Sequence, residues 1–229
     1  MNGLLRSSLG RILRESILGG QDGLVNVLGI VLGVAAATSE TRIVIIAGLA
    51  ALVAESISMG AVAYTSTQAA RQYFLSKVEE EKEESKRVPG HQVRHVRKIF
   101  AQKGFSGTLL NRVVNVICSH RRLCTETIVK EEFGLSKEEF ENPLRSGVLV
   151  LAATIVGSII PLVPFFYFPI VTAMYLSVII CALALFVGGF TKAKLTTGNP
   201  LRNGIELMVI GMTAAFCGWL VGHWLGVTV

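Results

Sequence analysis

The chain has 229 residues, of which 51% are hydrophobic and 17% charged, with a formal net charge of +6. Soluble domains carry about a quarter charged residues; here charges are clustered and apolar runs are continuous, which excludes a soluble globular enzyme and the alternating strands of a membrane barrel. The pattern is that of an all-α polytopic membrane protein, and anionic lipid facing its basic segments accounts for the positive charge without nucleic acid.

Residues 1–20 place Leu4, Leu5, Leu9, Ile12, Leu13, Ile17 and Leu18 at helical spacing, with Arg6, Arg11, Arg14 and Glu15 between them. That spacing suits an amphipathic helix in the membrane interface or one packed on a bundle. About 20 apolar residues cross a bilayer, and the candidate spans are 23–38, 43–65, 147–166, 169–190 and 205–227. Glu40 and Arg42 mark the turn between the first two. The run PLVPFFYFP, with Pro161, Pro164 and Pro169, is expected to break the chain between the third and fourth, its aromatics lying at an interface. The segments are then 1–20 (arm), 21–76 (spans one and two), 77–143 (helical insertion) and 144–229 (spans three to five). Five spans put the termini on opposite sides, and of the 22 Lys and Arg residues only Arg42 falls on the far side. The positive-inside rule therefore expects a cytoplasmic N-terminus and an external or lumenal C-terminus.

Nothing breaks the helical pattern from Ile43 to about Lys86, so span two is expected to continue about 30 Å past the membrane as a stalk. The stalk ends in KVEEEKEESKRVPG, with Pro89-Gly90 as the stop. Helices are expected over 91–103, 106–119 and 123–133, punctuated by Gly104 and Gly134, before Asn142-Pro143 returns the chain to the membrane. An insertion this small needs docking, dimerisation or metal to support it. Glu81 and Glu84, like Glu80 and Glu84, share a helical face. Such carboxylate pairs suit divalent cations, or else belong to a solvated Glu/Lys helix. His91 and His95 lie four apart, and Cys118, His120 and Cys124 follow. They offer zinc-type ligands at no standard spacing, crowded by Arg94, Arg121 and Arg122, with packed or solvated side chains as the alternative. The four cysteines suggest no disulfide framework, two lying in membrane runs and two in a reducing cytoplasmic segment.

Glu55 interrupts the apolar run IIAGLAALVAESISMGAVAY, and an ionisable group inside a span points to function. Antiparallel pairing about Glu40–Thr41 puts Asp22 level with Met59 and Asn26 level with Glu55. Asp22 and Asn26 share one helical face, as do Glu55 and Met59. Gly29, Gly33, Ala47, Gly48, Ala51, Ala54 and Gly60 allow close helix approach. Together these form a candidate cation pathway; taken singly, Asp22 also reads as a helix cap and Met59 as packing.

The stretch DGLVNVLGIVLGVAAA followed by AESISMGAVAYTSTQAARQ resembles the first two spans of the vacuolar iron transporter family, and the likeness runs on to KAKLTTGNPLRNGIE at the last span. The resemblance implies a homodimer with its pathway at the subunit interface. It implies export of Fe²⁺, and of Mn²⁺, from the cytoplasm in exchange for protons, with no permanently bound cofactor. The family's acid in span one and Met in span two match Asp22 and Met59, while the second acid's position is Ala51 here and Glu55 stands one turn nearer the Met. The family's metal-binding insertion maps its glutamates onto Glu81, Glu84, Gln92, His95 and Glu132, and its Met onto Ile128.

The expected protein is a proton-coupled divalent metal transporter. Glu81, Glu84 and Glu132, with His95 and Gln92 at substituted positions, collect the ion, and Asp22, Asn26, Glu55 and Met59 pass it. No nucleophile elbow, phosphate loop or HExxH helix points to an enzyme. The alternative is a non-transporting membrane scaffold or metal sensor whose cytoplasmic helices bind metal or protein. The lack of long extensions favours a prokaryotic cell membrane, with a vacuolar membrane as the alternative.

Overall fold

The computed structural model describes residues 2–38, 40–88, 90–134, 142–195 and 198–226, with backbone only for 2–9, 11 and 195. Among these the chain is all-helical: α1 (Asn2–Ala37), α2 (Thr41–Arg87), α3 (His91–Gln102), α4 (Gly107–Cys118), α5 (Arg121–Phe133), α6 (Pro143–Tyr167), α7 (Ile170–Leu195) and α8 (Pro200–Gly226). Five are long and apolar enough to cross a membrane: α1 from Ile12, then α2, α6, α7 and α8. The chain forms two compact units, one of Met1–Tyr64 with Leu144–Val229, the other of Thr65–Pro143.

In the first unit α1 is the central helix. Leu24, Val27, Leu28, Val31 and Leu32 recur at helical spacing and are all buried, against Leu162 and Phe165 of α6, Cys181 and Leu185 of α7, and Ala215 of α8. The basic arm and the first apolar run are one continuous helix. The side chains of Leu4, Leu5, Arg6, Leu9 and Arg11, on which the amphipathic reading depends, lie outside the described residues.

The small residues allow close helix approach, as expected, and mostly to helices other than the α1–α2 pair. Gly33 backs onto Gly218 and Gly222 of α8, and Gly60 onto Gly147 and Leu151 of α6. Gly48 sits beside an α1 side chain, Val31, together with Leu162. The expected break within PLVPFFYFP falls at its end: α6 runs through Pro161 and Pro164 to Tyr167, and the chain turns at Phe168-Pro169. Prolines are tolerated in membrane helices; separately, the Ser177 hydroxyl of α7 donates to the Pro161 carbonyl of α6 at 2.8 Å and ties the two helices together. The first turn closes as the Glu40 N–H donates to Thr38 Oγ1 at 3.2 Å. Asn199 caps α8, accepting from the Leu201 and Arg202 N–H groups at 3.1 and 3.3 Å.

In the second unit α3, α4 and α5 surround Val96, Leu110, Val114, Cys124 and Ile128. Gly104 and Gly134 end α3 and α5 with φ of 93° and 65°, a conformation that favours glycine. The corner between α4 and α5 corrects the expectation of free cysteines: Cys118 and Cys124, with Cα atoms 4.7 Å apart, form a disulfide. The corner is tight because only Ser119 and His120 separate the two helices.

Ile128 is fully buried. Ile128→Ala should destabilise α3–α5 by about 2–5 kcal/mol, whereas Ile128→Met should cost less than about 1.5 kcal/mol. Hydrogen–deuterium exchange of these helices in the full-length protein measures both.

Candidate metal sites

Two sets of polar side chains stand out, one in each unit. In the first, the Asn26 amide donates to Glu55 Oε1 at 3.0 Å, across twenty-nine residues of chain. Asp22, one turn before Asn26, has both Asn26 and Glu55 as hydrogen-bonding neighbours. The expected register of α1 against α2 is therefore present at its polar layer. Asp22, Glu55 and Met59 are half-buried and Asn26 is exposed. The surrounding exposed surface of the two helices is apolar, with Ile30, Val53, Ile57 and Val62. Ala51 packs against the core of the unit, so the only carboxylate of α2 in this region is one turn from Met59.

In the second unit the end of α2 sorts its glutamates by face. Lys77, Lys82 and Lys86 pair with Glu80, Glu79 and Glu83 at 2.5, 3.0 and 2.5 Å, all at a spacing of three. This much is the solvated Glu/Lys helix weighed above. Glu81 and Glu84 turn instead toward α3. Glu81 approaches Nδ1 of His91 at 3.3 Å through Oε1 and Nδ1 of His95 at 3.6 Å through Oε2. Outside them, Glu84 lies 3.3 Å from His91 Nε2 and Glu132 of α5 lies 3.0 Å from His95 Nε2. The order in space is thus Glu84, His91, Glu81, His95, Glu132. The two imidazoles meet edge to face with centroids 5.4 Å apart.

Local geometry produces this set. The four-residue spacing puts His91 and His95 on one face of α3, and the reversal at Gly90 starts α3 directly after α2. Glu81, only 6% exposed, ends up between the rings.

Among the expected ligands, Glu81, Glu84, His95 and Glu132 are brought together, and Gln92 is not. Its buried amide donates to Thr125 Oγ1 at 2.7 Å, because it sits one residue round the helix from His91. Ile128 faces the core and offers no donor. Cys118 and Cys124 are joined to each other, and His120 Nδ1 lies 3.0 Å from Ser119 Oγ, so that soft-ligand set does not form. His91 belongs with the glutamates rather than with the cysteines. The spacing of His91 and His95 after a Pro-Gly turn was the available signal, but only packing shows which face receives them.

Comparison with known proteins agrees with this architecture. The VIT family profile matches residues 13–223. A vacuolar iron transporter of Arabidopsis thaliana is 32% identical over 212 residues, covering 91% of this chain and 85% of that one. One from Tulipa gesneriana is 30% identical over 205 residues, with coverage of 89% and 83%. A vacuolar iron transporter of Plasmodium falciparum is 29% identical over 220 residues, with coverage of 92% and 81%. With five candidate spans and a family match over most of its length, the chain is a multi-pass membrane protein that belongs to the VIT family.

Proposed function

We propose that this protein carries divalent metal ions, Fe²⁺ first and Mn²⁺ second, out of the cytoplasm in exchange for protons. The observation that carries the reading is the Asp22–Asn26–Glu55 cluster inside two apolar helices. Carboxylates in a span are costly and persist where they serve ions or protons. A divalent cation between Asp22 and Glu55 offsets their mutual repulsion, and the Met59 thioether favours transition metals over Mg²⁺ and Ca²⁺. Relatives named iron transporters support the choice of Fe²⁺.

Exchange follows from the same groups. Protonation of Asp22 or Glu55 from the acidic side releases the metal and returns charge across the membrane. The distribution of Lys and Arg supports a cytoplasmic N-terminus. Because the cluster lies at an exposed, otherwise apolar face of a single chain, a second copy covering that face completes the pathway as a homodimer. The unit of Thr65–Pro143 collects the ion on the cytoplasmic side.

Proteoliposomes loaded with a metal-sensitive dye and placed under a pH gradient test the reading. Fe²⁺ uptake should require the gradient, and Mg²⁺ should neither enter nor compete. Equal uptake with and without a gradient would remove proton exchange, and no uptake at all would remove transport.

A further inference from the structure

We infer that the Cys118–Cys124 bond is a reversible exchange site for a small anionic thiol of the glutathione class, attacked at Cys118, and that its redox state sets how firmly α5 is held in its unit. This rests on the proposed cytoplasmic side of the unit of Thr65–Pro143 only for the thiol that meets it; the exchange itself rests on the geometry of the α4–α5 corner.

The bond joins the last residue of α4 to the first turn of α5. Disulfides in reducing compartments are chiefly transient or redox-sensing rather than structural. The two cysteines are six residues apart in sequence, and so short a loop restrains the unfolded chain less than a long one. Val96, Leu110, Val114 and Ile128 supply the rest of the core around Cys124. The bond therefore acts on the corner rather than on whether the unit folds.

Its two sulfurs are not equivalent. Cys124 is 1% exposed, whereas Cys118 is half-buried at the edge of the same core. An incoming thiolate thus reaches Cys118 and leaves Cys124 as the departing sulfur. Arg121, an exposed residue, lies inside the loop that the bond closes. Cationic neighbours favour thiolates, and a guanidinium suits the carboxylates of a glutathione-like thiol.

The exchange balances in two steps. The first thiolate bonds to Cys118 Sγ, the sulfur–sulfur bond breaks, and its electron pair goes to Cys124 Sγ, which takes up a proton. A second thiolate attacks the external sulfur of the mixed disulfide and frees Cys118 as a thiolate, which is protonated in turn. The protein gains two electrons and two protons, and two thiols become one external disulfide. The reverse sequence, from that disulfide, restores the bond.

The consequence falls on α5. Thr125 follows Cys124 directly; its Oγ1 accepts from the buried Gln92 amide of α3 at 2.7 Å and donates to the Arg121 carbonyl at 3.1 Å. The oxidised corner fixes the start of α5, and with it the rotation that brings Thr125 to Gln92. Reduction removes the covalent part of that restraint and leaves the packing.

The full-length protein in detergent, equilibrated with mixtures of reduced and oxidised glutathione, is read by mass-spectrometric mapping of alkylated cysteines. Cys118 and Cys124 should pass together from thiols to disulfide across the mixtures, while the buried Cys181 stays a thiol. Hydrogen–deuterium exchange in α4 and α5 should quicken by about tenfold or more on reduction. The protein carrying both Cys118→Ala and Cys124→Ala should exchange at the reduced rate in every mixture. Cys124→Ala should accumulate a mixed disulfide at Cys118, whereas Cys118→Ala should leave Cys124 modified at least about tenfold more slowly. Where Cys124→Ala loosens α3–α5, the mixed disulfide trapped by acid early in reduction of the unaltered protein places the first attack instead. A bond that survives excess reduced glutathione, or first attack at Cys124, would overturn the assignment. A membrane-impermeant maleimide applied to intact cells reads the side of the membrane separately, and labelling of Cys118 there would overturn the cytoplasmic placement alone.

Discussion

Asp22→Ala and Glu55→Gln should each lower gradient-driven Fe²⁺ uptake into proteoliposomes by at least about tenfold, which corresponds to a loss of about 1.4 kcal/mol or more of ion stabilisation. Glu55→Gln keeps the size of the side chain, and its amide oxygen can still accept from Asn26, which now donates at 3.0 Å. What it loses is charge. At low effective dielectric, one unit charge near a divalent ion is worth several kcal/mol before desolvation is subtracted, so a tenfold effect is a lower bound. Asp22→Ala removes the other carboxyl of the cluster. Asn26→Ala is the informative intermediate: both carboxylates remain, but Glu55 loses the donor that orients it, and uptake should fall only several-fold. Uptake undiminished in both acid variants would remove the pathway from α1 and α2.

Gly222→Leu should lower the stability of the membrane unit by about 3 kcal/mol or more, the upper end of what overpacking costs. A Cβ at Gly222 would overlap the Gly33 backbone, and one at Gly218 would overlap Gly29. Those atoms belong to a helix whose opposite face holds the core of the unit, so α1 has no room to withdraw. Because Gly29 and Gly33 lie one and two turns from the Asn26–Glu55 contact, displaced packing also shifts the polar cluster. Gly10 provides the control: nothing lies within 4 Å of an added Cβ there, and Gly10→Ala should be neutral or stabilising by up to about 1 kcal/mol. Thermal unfolding in detergent compares the three proteins. Gly222→Leu melting like the parent would show that the α1–α8 contact tolerates separation.

Much of the architecture was legible because the bilayer is a severe solvent. Backbone polar groups in hydrocarbon must be paired within the protein, so uncharged runs of sufficient length read directly as helices, and five of them are present. Helix breaks outside the spans were readable at Gly104 and Gly134, where the backbone takes a positive φ. The proline-rich run after span three was readable too, and the chain turns at its last members, Phe168-Pro169. What the spacing could not show is the contact between these spans, where the Ser177 hydroxyl of α7 donates to the Pro161 carbonyl of α6.

The candidate sites divide similarly. Glu55 was conspicuous because it is an acid in an apolar run, and counting from the turn placed Asn26 opposite it, as the 3.0 Å contact has it. Counting works there because two helices joined by a short turn have little freedom of register. Around Glu81 it fails. The ordering of Glu84, His91, Glu81, His95 and Glu132 depends on how α2, α3 and α5 rotate about their own axes, and that is set by the burial of Val96, Val114 and Ile128. A rotation of one residue on a helix is about 100°, enough to exchange His91 for Gln92.

By itself, then, the amino-acid sequence determined the helical membrane class, the extents of most helices and the polar layer of α1 and α2, since these follow from hydropathy, spacing and short connections. Only the tertiary structure decided which glycines serve α8, which glutamates leave their lysines, and which atoms of His91, His95 and Glu81 converge. Those are properties of side-chain direction after packing, and linear spacing constrains them only to a face.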